Sequence, residues 1–198
     1  MLTNIDAKKK TFRQQAKAKR LAAYNQHPQA GQSIAETLLA QAFPVTSKIS
    51  AFWPLSEELD TLPLLHALHA QGHQLLLPIM QGAGKPLLFG LWQPGDQLVK
   101  ASFQTLEPHA DKPRMIPDIM LCPLLAFDRQ GYRMGYGGGF YDRTIAQLKS
   151  QAPLTTIGIA FAEQEVPAVI TGAYDEPLHR IITQNEVIEI SASPQQAK

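Results

Sequence analysis

The chain has 198 residues, a formal net charge of +1, 44% hydrophobic and 18% charged residues. That is one medium domain able to bury a core, and its charge marks out neither a nucleic acid nor a membrane as partner. No apolar run approaches the roughly 18 residues that span a bilayer, Met1 to Tyr24 lacks the apolar centre of a secretion signal, and the lone Cys122 excludes an intramolecular disulfide, which suits a cytoplasmic location.

From Ile5 to Tyr24 the helix formers Ala, Lys, Gln and Arg dominate, with Asn4 or Asp6 available as a cap. At about 100° per residue, Ile5, Phe12, Ala16 and Ala23 share one face while Lys9, Arg13 and Arg20 line the next. An apolar stripe can therefore dock on the body with a basic stripe beside it. His27-Pro28 breaks this helix, and a second is expected from about Ala30 to Ala42, ending before Pro44.

Lys48 to Trp53 reads as the first strand, short and apolar, leading into the loop Trp53-Pro54-Leu55-Ser56-Glu57-Glu58-Leu59-Asp60-Thr61. A Trp beside acids after a strand is a candidate cleft wall, because α/β sheets bind ligands outside the carboxyl ends of their strands. The alternative puts Trp53 in the core and lets Glu57 and Glu58 open a helix. Thr61 to Gln71 is helical and Gln74 to Pro78 extended. His66, His69 and His73 fall three and four apart, but without Cys or an H-E-x-x-H pattern they are expected to form an ordinary surface face rather than a zinc site.

Gln81 to Leu106 is rich in Gly and Pro, with Leu87 to Leu91 a strand and Asp96 to Lys100 a short extended piece. Trp92 and Phe103 read as packing residues. Asp118 to Pro123 enters a central strand, Thr155 to Ala160 is another buried one, and Arg180 to Thr183 with Glu186 to Ile190 are expected at an edge. Strands alternating with helices predict an α/β fold: one three-layer domain over residues 1–190, a largely parallel sheet with helices on both faces. Residues 191–198 read as a flexible tail.

The most informative stretch runs from Pro123 to Arg143. It concentrates Gly131, Gly135, Gly137, Gly138 and Gly139 among Arg133, Tyr136, Tyr141, Asp142 and Arg143. Glycines permit positive φ and close ligand approach, and a helix beginning at Phe140 would turn unpaired N–H groups toward an anion. A plain linker would be Gly/Ser and featureless, so phosphate binding is the better reading. The spacing is neither G-x-G-x-x-G, because Phe140 takes the last glycine position, nor a Walker loop at Gly84-Lys85, where Ile79 replaces the first Gly and Pro86 follows the Lys.

The run Arg133-Met134-Gly135-Tyr136-Gly137-Gly138-Gly139-Phe140-Tyr141-Asp142, led in by Ala126-Phe127-Asp128, resembles the signature of the 5-formyltetrahydrofolate cyclo-ligase (methenyltetrahydrofolate synthetase) family. Matching pieces at the N-terminus, around Glu58 and near Asp175 extend the resemblance over nearly the whole chain. Met134 stands where the family has Leu and Phe140 where it has Tyr.

The resemblance implies ATP- and Mg²⁺-dependent closure of 5-formyltetrahydrofolate to 5,10-methenyltetrahydrofolate through a phosphorylated formyl group. It assigns ATP to Lys9, Arg13, Arg133, Gly135, Tyr136, Gly137, Gly138, Gly139, Phe140 and Tyr141, with the basic N-terminal helix beside the nucleotide cleft. The folate falls to Trp53, Glu58 and the shared residues Tyr136 to Phe140, and the metal to Asp142 and Asp175. Some members carry a second acid where this chain has His179, and Arg143 is a secondary candidate.

Reduced folate and ATP are then the small-molecule partners, a monomer is expected, and neither nucleic acid nor membrane is. A noncatalytic nucleotide- or folate-binding regulator of the same fold is the alternative. A nucleic-acid binder using the N-terminal helix is disfavoured because acids outnumber Lys and Arg beyond Arg20. A sugar-phosphate isomerase on a related fold would need a placed base and no ATP.

Overall fold

The computed structural model describes residues 4–41, 43–44, 46–55, 57–102 and 105–191, without the side chains of Asn4 and Asp6. Phe103 and all of the expected tail except Ser191 lie outside the described residues. Helices α1 (Asn4–Gln26), α2 (Ala30–Leu39), α3 (Leu62–Ala70) and α4 (Phe140–Lys149) surround strands β1 (Lys48–Ser50), β2 (Gln74–Met80), β3 (Leu87–Trp92), β6 (Ile119–Cys122), β9 (Thr155–Ile159), β10 (Arg180–Ile182) and β11 (Val187–Glu189). These strands form one sheet in the order β11-β10-β9-β6-β1-β2-β3. β10, β9, β6, β1 and β2 run parallel, while β3 and β11 close the two edges antiparallel.

Alternate strand residues face opposite layers, as the two-residue period of a strand demands. Leu75, Leu77, Ile119, Leu121, Ile157 and Ile159 pack with α2 and α3, including Ile34, Leu38 and Leu65. Leu76, Met120, Cys122 and Ile181 face the other way and pack with Ile145 and Leu148 of α4. Nearly continuous apolar strands are what a sheet covered on both faces requires.

Two small ribbons were not legible as pairs. β4 (Leu98–Lys100) pairs antiparallel with β5 (Leu106–Pro108), and β7 (Ala126–Phe127) with β8 (Arg133–Met134). The central strand expected over Asp118 to Pro123 is Ile119–Cys122, and the chain resumes an extended course only at Ala126–Phe127. Pro123 has no N–H to continue the ladder, so β6 stops before it and the chain turns into the β7–β8 hairpin. Asp128 organises that hairpin: buried, it accepts the N–H groups of Gln130 and Tyr132 on Oδ1 and of Val169 on Oδ2.

Helix α1 docks through Ala16, Arg20 and Ala23, and Ala16 packs against Leu125, Ala126, Met134 and Val169. Ile5, expected on this stripe, is 54% exposed, because the stripe meets the body only from about Lys9 onward. His73 departs from the expected surface face. It lies buried at the foot of β2 and packs edge-on against Phe43, since Gly72 turns the chain away from the helix that carries His66 and His69.

From β1 the chain goes to β2 on one side and later to β6 on the other, so the strand order reverses between β1 and β6. Loops leaving the carboxyl ends of two such strands diverge and open a crevice. The cleft lies there.

Candidate active site

A cleft of about 710 Å³ takes its walls from the loop after β1, the ends of β2 and β5, α1 and the β8–α4 loop. That volume suits a small-molecule site. Lys9, Arg13, Trp53, Glu58, Arg133, Gly135 to Tyr141, Asp142 and Asp175, separated by up to 166 residues in sequence, all line it.

The polar half is built around the glycine loop. Gly137 has φ of +100° and Gly139, the N-cap of α4, has φ of +63°, a region that side chains enter at a cost. Having no side chain, Gly139 supplies no cap acceptor, and the positive end of the α4 dipole points toward the glycine loop. Arg13 reaches over this loop and donates from Nε to the Gly135 carbonyl at 3.2 Å. A Cβ on Gly137 would lie 3.0 Å from the Arg13 guanidinium carbon. Arg143 braces the loop from beneath, donating to the Gly138 carbonyl at 2.5 Å with its guanidinium over the Phe140 ring.

Asp142, in the first turn of α4, accepts on Oδ1 from Arg133 Nη2 at 2.8 Å and from the Glu176 N–H at 3.1 Å. Arg133 is buried and also donates to the Glu176 carbonyl at 2.7 Å. It thus ties β8, α4 and the 175–176 turn together, and part of its fork is spent before any phosphate arrives. Asp175 Oδ2 accepts from Lys9 Nζ at 2.9 Å and from the Gly172 N–H at 2.7 Å. Asp142 Oδ2 and Asp175 Oδ1 receive no hydrogen bond from the described residues. Two carboxylates with free oxygens beside a glycine loop fit a hard divalent cation that keeps several waters. His179 is turned elsewhere: its Nδ1 accepts from the Thr156 N–H at 3.0 Å, on β9.

The apolar half is formed by Phe52, Trp53, Pro78, Met80, Leu87 and Leu106. Trp53 is half-buried and packs edge-on against Trp92 with ring centroids 5.9 Å apart, so it is both a core contact and a cleft wall. Glu58 is buried at its floor. Its Oε2 accepts the Leu55 N–H at 3.0 Å, and its Oε1 accepts the Tyr136 hydroxyl at 2.7 Å and faces Arg20 Nη1 at 3.4 Å. Arg20 and Tyr136 are also hydrogen-bonded to each other. Burial, followed by the Glu58 charge, pushes the Tyr136 phenol above the usual tyrosine range, so it stays a donor. Tyr141 is likewise held protonated, chiefly by burial.

Two buried charges were missed as site residues. Arg20 carried a signal, because it continues the Lys9–Arg13 stripe. Glu107 carried none, because it falls in a Gly/Pro-rich region whose β4–β5 pairing the local sequence does not announce. It is buried on β5, lines the cleft, and accepts the Met80 N–H at 3.1 Å.

Residues 5–184 match the model of the 5-formyltetrahydrofolate cyclo-ligase family. The chain is 35% identical over 147 residues to the 5-formyltetrahydrofolate cyclo-ligase of Escherichia coli (strain K12), covering 71% of this chain and 80% of that protein. It is 32% identical over 168 residues to that of Haemophilus influenzae, covering 82% and 89%. Among solved structures, the Aquifex aeolicus 5,10-methenyltetrahydrofolate synthetase shares the fold with a TM-score of 0.77 at 22% identity, each chain covered to 96%. The Mycoplasma pneumoniae synthetase does so with a TM-score of 0.70 at 23% identity, covering 89% of this chain and 98% of that one. With its signature folded around one cleft and the family pattern running through nearly its full length, the chain belongs to the 5-formyltetrahydrofolate cyclo-ligase family.

Proposed function

We propose that the protein converts 5-formyltetrahydrofolate to 5,10-methenyltetrahydrofolate with ATP and Mg²⁺, releasing ADP and phosphate. One observation carries this reading: a single cleft joins an apolar slot floored by a buried carboxylate, Glu58, to a glycine loop flanked by Lys9, Arg13, Asp142 and Asp175. The first half suits a flat heterocycle rich in N–H donors and the second a polyphosphate.

Ring closure must expel the formyl oxygen, a poor leaving group. In the proposed sequence that oxygen attacks the γ-phosphorus, the bond to the ADP oxygen breaks, and a formyl phosphate equivalent results. The anilino nitrogen then adds its lone pair to the activated carbon and loses its proton, and phosphate leaves with the C–O electrons. Such transfer depends mainly on positioning and charge neutralisation rather than on a protein nucleophile.

Lys9 and Arg13 supply positive charge to the phosphates, and the amides of the glycine loop Gly137 to Gly139 supply donors. Asp142 and Asp175 would hold Mg²⁺, which offsets phosphate charge when bound. Glu58, aimed by Arg20 and Tyr136, accepts N–H bonds from the pterin. Tyr136, attached to Glu58 by its hydroxyl and to the glycine loop by its backbone, connects the two halves.

The test is to mix purified protein with 5-formyltetrahydrofolate, ATP and Mg²⁺ and follow the ultraviolet absorbance of the methenyl product, omitting each component in turn. Product that requires all three is expected. Binding of ATP or folate in calorimetry without product would overturn the enzymatic reading in favour of a noncatalytic regulator.

A further inference from the structure

Glu107 lines the cleft from β5, and the residue as a whole is buried. No Lys, Arg or His among the described residues pairs with it. Oε1 accepts the Met80 N–H at 3.1 Å and lies 3.5 Å from the Thr105 hydroxyl. That hydroxyl has one proton and already sits 2.8 Å from the Ser102 carbonyl, so the amide is the firm donor. Oε2 has no protein donor among the described residues. A desolvated carboxylate without a cation is costly, and acceptor sites left open toward a cavity are where a ligand's donors recover that cost.

Glu58 makes the contrast. Its carboxylate has an arginine, a phenol and a backbone amide already on it. The Met80 amide that holds Glu107 is at the carboxyl end of β2, the parallel neighbour of β1, from whose carboxyl end the Glu58 loop leaves. The same cleft is lined by the apolar Phe52, Trp53, Pro78 and Met80. With apolar side chains beside it, the open acceptor at Glu107 suits an uncharged ring that bears N–H donors. The pterin ring of a folate has these at adjacent positions, the ring N3–H and the 2-amino group, spaced to meet the two oxygens of a carboxylate.

We propose that Glu107 is a second substrate-binding carboxylate of the folate subsite, accepting N–H bonds from the pterin ring. The inference rests on the proposed function and names a residue beyond it. Held by a β2 amide on the β4–β5 ribbon, Glu107 also makes that ribbon part of the substrate wall.

The experiment compares wild-type protein with Glu107→Gln, which keeps shape and the Met80 acceptor but places a donor where the pterin donates. Expected is a rise of at least tenfold in KM for 5-formyltetrahydrofolate, with KM for ATP, half-saturating Mg²⁺ and the unfolding midpoint nearly unchanged. A folate KM within twofold of wild type, or a shift shared equally with ATP or Mg²⁺, overturns the proposal. So does a fall in stability and kcat with folate KM unmoved, which is the signature of a ribbon strut.

If Glu107→Gln does not fold, Glu107→Asp, which withdraws the carboxylate by one methylene, is expected to give the same KM split. Independently, wild-type protein is expected to bind a 2-desamino analogue of the substrate at least tenfold more weakly, and equal binding overturns the proposal without any variant. Wild-type protein that forms no methenyl product defeats the functional reading itself, whereas turnover with unaltered variant kinetics defeats only the role of Glu107.

Discussion

Arg20 of α1 and Glu58 of the loop after β1 form an ion pair of 3.4 Å in which each side chain is only 6% exposed. Tyr136 bridges the pair from the glycine loop. Because Lys9 and Arg13 lie on the same helix, one rigid element touches both halves of the cleft. Breaking a buried pair from one side strands the other charge, at a cost of about 3 kcal/mol or more. Arg20→Met is expected to lose stability on that scale in denaturant unfolding and to raise the folate KM more than the ATP KM. Adding Glu58→Gln removes the stranded charge, so the double variant should be more stable than Arg20→Met alone. If the two losses simply add, the pair is not coupled.

Asp175 is bonded to Lys9 and to the Gly172 N–H near the mouth of the cleft, where ion pairs contribute little to stability. Asp175→Asn is therefore expected to leave the unfolding midpoint within a few degrees while raising half-saturating Mg²⁺ several-fold in the product assay. A normal Mg²⁺ titration would remove Asp175 from the metal assignment.

At Gly137 the obstacle is both conformational and steric, with φ of +100° and an added Cβ 3.0 Å from the Arg13 guanidinium carbon. Alanine there would strain the loop by about 1–3 kcal/mol and push Arg13 off it. Gly137→Ala should fold with normal circular dichroism but lose at least tenfold in kcat/KM for ATP. Retained ATP kinetics would show that the loop tolerates a side chain and does not cradle the nucleotide.

Burial, followed by the nearby positive charge of Lys149, holds the His179 imidazole below its ordinary value near 6.5. The unfolded chain then takes up this proton first as pH falls. The contribution to stability is complete above about pH 6.5 and is lost through the window below it. Thermal midpoints should fall as pH drops from 7 toward 5.5, and His179→Asn, whose side-chain oxygen can still accept the Thr156 N–H, should flatten that dependence. An unchanged slope in the variant would assign the pH response to other groups.

The sequence by itself determined the helices and most strands of the main sheet, because caps, breakers and hydrophobic period act within a few residues. It also marked the glycine loop, where Gly137 and Gly139 take backbone angles that few other residues accept. Only the tertiary structure decided how charges pair across the fold. Lys9 meets Asp175, Arg20 meets Glu58, and Arg133 spends its fork on Asp142 and Glu176. His179 faces Thr156 rather than the carboxylates, and Glu107 reaches the cleft through a ribbon whose strands are individually too short to read. Such long-range contacts depend on which strands become neighbours and where water is excluded, and the reversal of strand order between β1 and β6 is what brings these side chains to one crevice.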